Sequence, residues 1–108
     1  MTGDRGGVDV EELLGSRGRV RVLRVLAEGG ELYLTEVGRR TGMNYSSVER
    51  HLTKLKEMGL VRERRYGKIR IFDAAFDRIA VIFERGRGVA VEREAQDPLR
   101  SDAPGRGR

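Results

Sequence analysis

Two short helical segments joined by a tight turn, and followed at once by a basic hairpin, leave a chain of this size few folds to choose from. The first segment opens Leu34-Thr35-Glu36-Val37-Gly38, with Thr35 as its cap and Val37 facing inward, and it ends in the turn Thr41-Gly42-Met43. Gly38 allows close helix crossing, and Met43 is placed to plug the core. Asn44 suits the start of the next segment, because its side-chain oxygen can accept from a first-turn N–H that the helix leaves unpaired. In that segment Val48, Leu52 and Leu55 fall on one side at about 100° per residue, Met58 packs near the end, and Gly59 stops it. Leu60 to Arg65 and Lys68 to Phe72 then read as antiparallel strands around Tyr66-Gly67, with Leu60, Ile69 and Ile71 expected on the inner face. The expected fold is a winged helix-turn-helix, mainly α with a small β-hairpin wing.

The flanking sequence extends this unit. Residues 1–8 are expected to be a disordered N-terminus without the apolar core of a signal peptide. Asp9 to Leu14 reads as a short helix. Ser16 caps a second helix that ends at Gly29-Gly30, although the β-branched alternation of Val20-Arg21-Val22 also suits a strand. That helix carries apolar groups on nearly all sides, which predicts burial on two faces. Leu32 to Leu34 could add a third strand to the wing. Asp73 is expected to cap a last helix, Ala74 to Arg85, whose Ala75, Phe76, Ile79, Ala80, Ile82 and Phe83 recur at helical spacing over more arc than one small domain covers. The domain thus spans 9–85, and 86–108 reads as a mostly disordered tail, with Val89-Ala90-Val91 short and ambiguous.

Charge narrows the function. Of the 22 Lys and Arg, 10 lie between Arg39 and Arg70 against 3 acids; residues 1–38 sum to −2 and residues 71–108 to zero. A positive surplus concentrated on the helix and hairpin is the footprint of a polyanion partner. The excess of 19 Arg over 3 Lys extends into the tails, and genome composition accounts for most of it. With no Cys and one His, the chain lacks a thiol nucleophile, a Ser with a usable His and a phosphate-cradling loop, so no catalytic residue or cofactor is expected. The longest apolar run is far below the roughly 20 residues of a membrane span, and a cytoplasmic location is the default.

The arc of the second helix opposite its apolar side holds Ser46, Ser47, Arg50, Thr53, Lys54 and Glu57, with Tyr45 and His51 on the flanks. Small hydroxyls let the backbone approach a groove, where Arg50 reaches a guanine edge and Lys54 a phosphate. The expected double-stranded DNA contacts are Asn44, Tyr45, Ser46, Ser47, Arg50, His51 and Lys54 on the helix, with Arg62, Arg64, Arg65, Lys68 and Arg70 on the wing. His51 either touches nucleic acid or hydrogen-bonds locally. Charge protecting an edge strand against aggregation accounts for part of the wing's surplus.

Residues 9–85 resemble the ArsR-like winged helix-turn-helix regulators, particularly small archaeal ones. Leu13-Leu14-Gly15-Ser16-Arg17-Gly18-Arg19-Val20-Arg21-Val22-Leu23 looks like the family's opening helix pair, and Ser46 to Val61 is similar to its recognition helix and the start of its wing. The resemblance implies a homodimer formed through the first and last helices, here Leu13, Val22, Ala75, Ile79, Ile82 and Phe83, and usually a repressor. Metal-sensing members carry two cysteines in the segment that here reads Glu31-Leu32-Tyr33-Leu34-Thr35-Glu36-Val37. Tyr33 and Thr35 replace both thiolates, and the last segment keeps Asp73 and Asp77 without a His, so no metal is expected. Three readings follow: a sequence-specific regulator, an architectural or RNA-binding winged helix, or a protein-interaction scaffold in a larger assembly.

Overall fold

The computed structural model describes residues 8–95. Local capping chemistry sets its first elements. Asp9 accepts from the Glu12 N–H at 3.1 Å and opens α1 (Val10–Leu14), and the Ser16 hydroxyl accepts from the Arg19 N–H at 3.1 Å and opens α2 (Arg17–Gly29). A short β1 (Leu32–Tyr33) runs directly into α3 (Leu34–Thr41). Its cap lies two residues before the expected Thr35: the Tyr33 N–H donates to the Glu36 carboxylate at 3.0 Å. Gly42, at φ +78, then makes the left-handed turn into α4 (Tyr45–Glu57), where Asn44 Oδ1 accepts from the Ser47 N–H at 2.8 Å.

The three longer helices enclose the core. Val22, Leu26, Val37, Val48, Leu52 and Leu55 are all buried, each worth roughly 1.5–3 kcal/mol of transfer free energy. Gly38 permits the crossing of α3 and α4, since a Cβ there would sit 3.3 Å from the Met43 carbonyl oxygen. Of the two faces expected to be buried on α2, one is: Val22, Val25 and Leu26 are inside, while Val20 remains 38% exposed.

The wing comprises β2 (Val61–Tyr66) and β3 (Ile69–Ala74), and β1 joins it to give an antiparallel sheet in the order β1-β3-β2. Gly67, at φ +64, occupies the first position of the two-residue turn, and this fixes the pairs Tyr66↔Ile69 and Glu63↔Phe72, while β1 pairs Leu32 with Phe72 on the other edge of β3. That register puts Leu32, Phe72, Arg70 and Glu63 on the inner face and turns Tyr33, Ile69 and Ile71 outward. Ile69 is therefore 51% exposed rather than internal, and Phe72 is the residue that fills the core. The pleat alternates with period two, so reading the wrong parity exchanges the faces.

The last segment departs most from expectation. Residues 74–85 form no helix, and Asp73 is a β3 residue that pairs with Arg62 rather than a cap. After Ala75 comes β4 (Phe76–Glu84), which reverses through Arg85–Arg87 and pairs antiparallel with β5 (Gly88–Ala95). Ile79, Val81 and Ile82 are β-branched, and so are Val89 and Val91 across the ladder. Gly86 and Gly88, at φ +85 and +88, make the reversal possible. The expected tail is thus ordered through Ala95, and Val8 of the expected disordered N-terminus is buried in the core. Residues 1–7 and 96–108 lie outside the described set.

Candidate nucleic-acid interface

Helix α4 presents its outward arc as the alternation of core and polar residues dictates. Tyr45 is 61% exposed, and Asn44, Ser46, Arg50 and Thr53 are also exposed, while Ser47 and Lys54 are half-buried. Asn44 has its oxygen committed to the Ser47 N–H and to the Ser46 hydroxyl, which donates at 3.2 Å. Lys54 is held between Glu12 at 3.2 Å and Glu57 at 3.7 Å. No carboxylate among the described residues lies within ion-pair distance of Arg50.

His51 is not available for contact. It is 6% exposed and faces α2 at Gly18, where an added Cβ would come within 2.7 Å of Nε2. Burial, reinforced by the Arg19 and Arg50 charges, lowers its pKa below the ordinary value, so the imidazole is neutral near pH 7. Its Nδ1 has no hydrogen-bond partner among the described residues.

The wing's cations are largely interlocked with acids. Glu63, with a side chain only 5% exposed, receives Arg70 at 2.7 Å, Lys56 at 2.6 Å and Arg65 at 3.0 Å. Its hydrogen bond from Arg70, with help from Lys56, overrides burial and lowers its pKa to about 2. Arg70 also pairs with Glu49 at 2.7 Å, and its guanidinium lies 5.3 Å from the Phe72 ring centre; these bonds to Glu63 and Glu49 raise its pKa. Arg62 is held by Asp73 at 2.6 Å, a hydrogen bond that raises the arginine's pKa, and Arg64 pairs with Glu31. Lys68, in the turn, has no ion-pair partner among the described residues.

Between the start of α4 and the wing opens a cleft of about 430 Å³, bordered by Tyr33, Leu34, Tyr45, Lys68 and Ile69. Arg70 ties its two sides together, with Nη1 3.5 Å from the Tyr45 hydroxyl. Tyr33 and Ile69 were absent from the expected contact set. The register that turns them outward depends on β1 pairing with β3, and only the possibility of that third strand was legible. Of the expected dimer residues, Leu13 and Val22 are in the chain's own core at 2% and 0% exposure, which removes them from any interface. Ile79 and Ile82 are half-buried and Phe83 is 68% exposed, all on β4, while Ala75 lies in the link before it.

Comparison with known proteins agrees with this fold. Residues 16–63 match the bacterial regulatory protein, arsR family. A search of curated proteins gave no match. Among solved structures, a possible transcriptional regulatory protein from Mycobacterium bovis is 33% identical, with 61% of this chain and 70% of that one covered and a TM-score of 0.56. Its solution structure is described as a homodimeric winged helix-turn-helix DNA-binding domain, Mb0332, a possible ArsR-family regulator; there the coverage is 61% and 60%, the identity 33% and the TM-score 0.54. The antimony-specific transcriptional repressor AntR is 27% identical over 58% of this chain and 57% of its own, at a TM-score of 0.54. This chain therefore spans about three-fifths of the latter two structures. The ferric uptake regulator of Vibrio cholerae, at 15% identity and a TM-score of 0.53, shares the fold over 92% of this chain and 86% of its own. Nothing in these matches speaks for an archaeal affinity. With a capped recognition helix, an adjoining wing and a one-third-identical relative all in agreement, the chain belongs to the ArsR family of winged helix-turn-helix, DNA-binding transcriptional regulators.

Proposed function

We propose that the protein is a sequence-specific, homodimeric repressor that reads double-stranded DNA with α4 in the major groove and the wing alongside. The observation that carries this reading is Arg50: exposed, without a carboxylate partner among the described residues, and on the same arc as the exposed Ser46 and Thr53. A guanidinium so placed can make a bidentate contact to guanine. Lys68 is the wing cation that, among the described residues, has no acid to leave before meeting a phosphate. The homodimer is supported by the homodimeric relative from Mycobacterium bovis, and repression by the repressor AntR. A cytoplasmic setting accords with this role, and no described helix is long and apolar enough to cross a membrane.

We read the function as independent of a soft metal. Tyr33 and Thr35 offer no thiolate, and no group of three or more His, Cys, Asp or Glu is placed to hold an ion among the described residues. The donors present do not fit such a site.

The test is selection of bound duplexes from random sequence, followed by titration at several salt concentrations. Arg50→Ala should lose about 1–3 kcal/mol on the selected site and relax preference at one position. Lys68→Ala should weaken all duplexes alike and lower the salt slope by about one unit. Equal losses for Arg50→Ala on selected and unrelated DNA would remove the base-reading role and favour an architectural protein.

A further inference from the structure

We propose that the sugar–phosphate backbone of one DNA strand lies in a track across the starts of α3 and α4, from Lys68 in the wing turn to Arg39. This deepens the DNA-reading role above and rests on it, and it adds Arg39, Tyr33 and Ile69 to the expected contacts.

The track is made of adjoining hollows. The cleft of about 430 Å³ between α4 and the wing shares Leu34, Thr35 and Tyr45 with a second hollow of about 290 Å³, which continues along α3 to Gly38 and Arg39. An elongated depression suits a chain that passes through it better than a compact molecule. Cations stand at its two ends, Lys68 at one and Arg39 at the other, and the hydroxyls of Tyr33, Thr35 and Tyr45 lie between them. The Tyr45 hydroxyl accepts from Arg70 at 3.5 Å, which leaves its own hydrogen free to donate. No carboxylate among the described residues lines either hollow. The acids on neighbouring elements are already engaged. Arg70 holds Glu49 and Glu63 at 2.7 Å each, while Glu36 accepts from the Tyr33 N–H at 3.0 Å and meets Arg39 loosely at 3.9 Å. The rest of the wall is apolar, chiefly Leu34, Met43 and Ile69 with the tyrosine rings. Donors interleaved with apolar groups match a strand, whose anionic phosphates alternate with largely apolar sugars.

The geometry of a duplex points to the same occupant. A major groove is walled by phosphate backbones, so with α4 inside it the wing can lie alongside only by reaching across one wall. The track occupies the space between those two elements.

Neutralising the phosphates of a selected duplex one at a time tests the inference, with single methylphosphonates along each strand and the full chain titrated at fixed salt. The wild type should lose about threefold or more at two phosphates of one strand. One loss should vanish in Arg39→Ala and the other in Lys68→Ala, because the cation that met that phosphate is gone. Losses that persist in both variants, or that fall on opposite strands, overturn the track. Arg39→Ala should also weaken selected and unrelated duplexes alike and lower the salt slope by about one unit. Ile69→Glu, at an exposed position, sets an acid in the apolar wall. It should weaken every duplex about tenfold or more and leave the far-ultraviolet circular dichroism unchanged; binding at wild-type strength overturns the proposal. If Arg50 reads a base and neither effect appears, the track is wrong and the reading role stands. A wild type with no affinity for any duplex overturns both.

Discussion

The two β-hairpins of this protein are built from similar residues and stand in opposite situations. In the wing, β3 is flanked on both edges by β2 and β1, and its inner face closes on the helices through Phe72, which is fully buried. In the second hairpin, β4 has β5 on one edge; Phe76 at its start packs against the core, but Phe83 near the turn is mostly in solvent. The same residue type thus anchors one hairpin from within and leaves the other unfinished. Strand propensity explains why both exist, but the wing is tied to the rest of the chain along its length, whereas the second hairpin meets the core only at its base, through Phe76, Ile79, Val81 and Val91.

The sharpest way to break this comparison is to truncate both phenylalanines. Phe72→Ala should cost about 3–5 kcal/mol through lost transfer energy and a cavity. Phe83→Ala should change the stability of the dilute, monomeric chain by less than about 0.5 kcal/mol. Urea unfolding at sub-micromolar concentration would measure both; comparable losses would mean that the second hairpin is as integral as the first.

That contrast also explains what could be read in advance. Asp9, Ser16 and Asn44 cap helices because the capping bond needs only neighbours three residues away, and Gly67 signals its turn just as locally. The segment from Ala75 to Phe83 satisfies helical spacing equally well, and nothing within it decides otherwise. Its strand character comes from Val89 and Val91 across the ladder, and pairing is a non-local property. The same limit hid Ile69 and His51. One follows from strand register, and the other from the bare backbone that Gly18 presents to it on α2.

A smaller effect sharpens the account of the helical half. Gly18→Ala would push a methyl within 2.7 Å of His51 Nε2 and 3.2 Å of the Met43 terminal carbon, so overpacking should cost about 1–3 kcal/mol. Thermal unfolding should show the loss, and combining the change with His51→Ala should recover part of it. No recovery would mean that the helices separate for another reason.

Acid should reveal the least of these differences, in two separate ranges. His51 has a folded pKa below its unfolded 6.5, so the unfolded chain binds the extra proton and stability falls as pH drops below about 6.5. Glu63, lowered from 4.5 to about 2, adds stability that is present above 4.5 and lost as pH falls toward 2. His51→Leu should flatten stability between pH 7 and 5, followed by urea midpoints, and leave the lower range unaltered. A slope that persists in that variant assigns it to another group.

Glu63 has a meaning beyond its titration. Three long cationic side chains, Lys56, Arg65 and Arg70, converge on this one carboxylate. Without it they would repel each other and wander through many rotamers. With it they are gathered when the chain folds, before any partner arrives; on the proposed DNA-binding reading, a phosphate then meets groups with less conformational freedom left to lose. On that reading, an acid at the centre of a basic surface is not a blemish but the mould that keeps the positive charges in place.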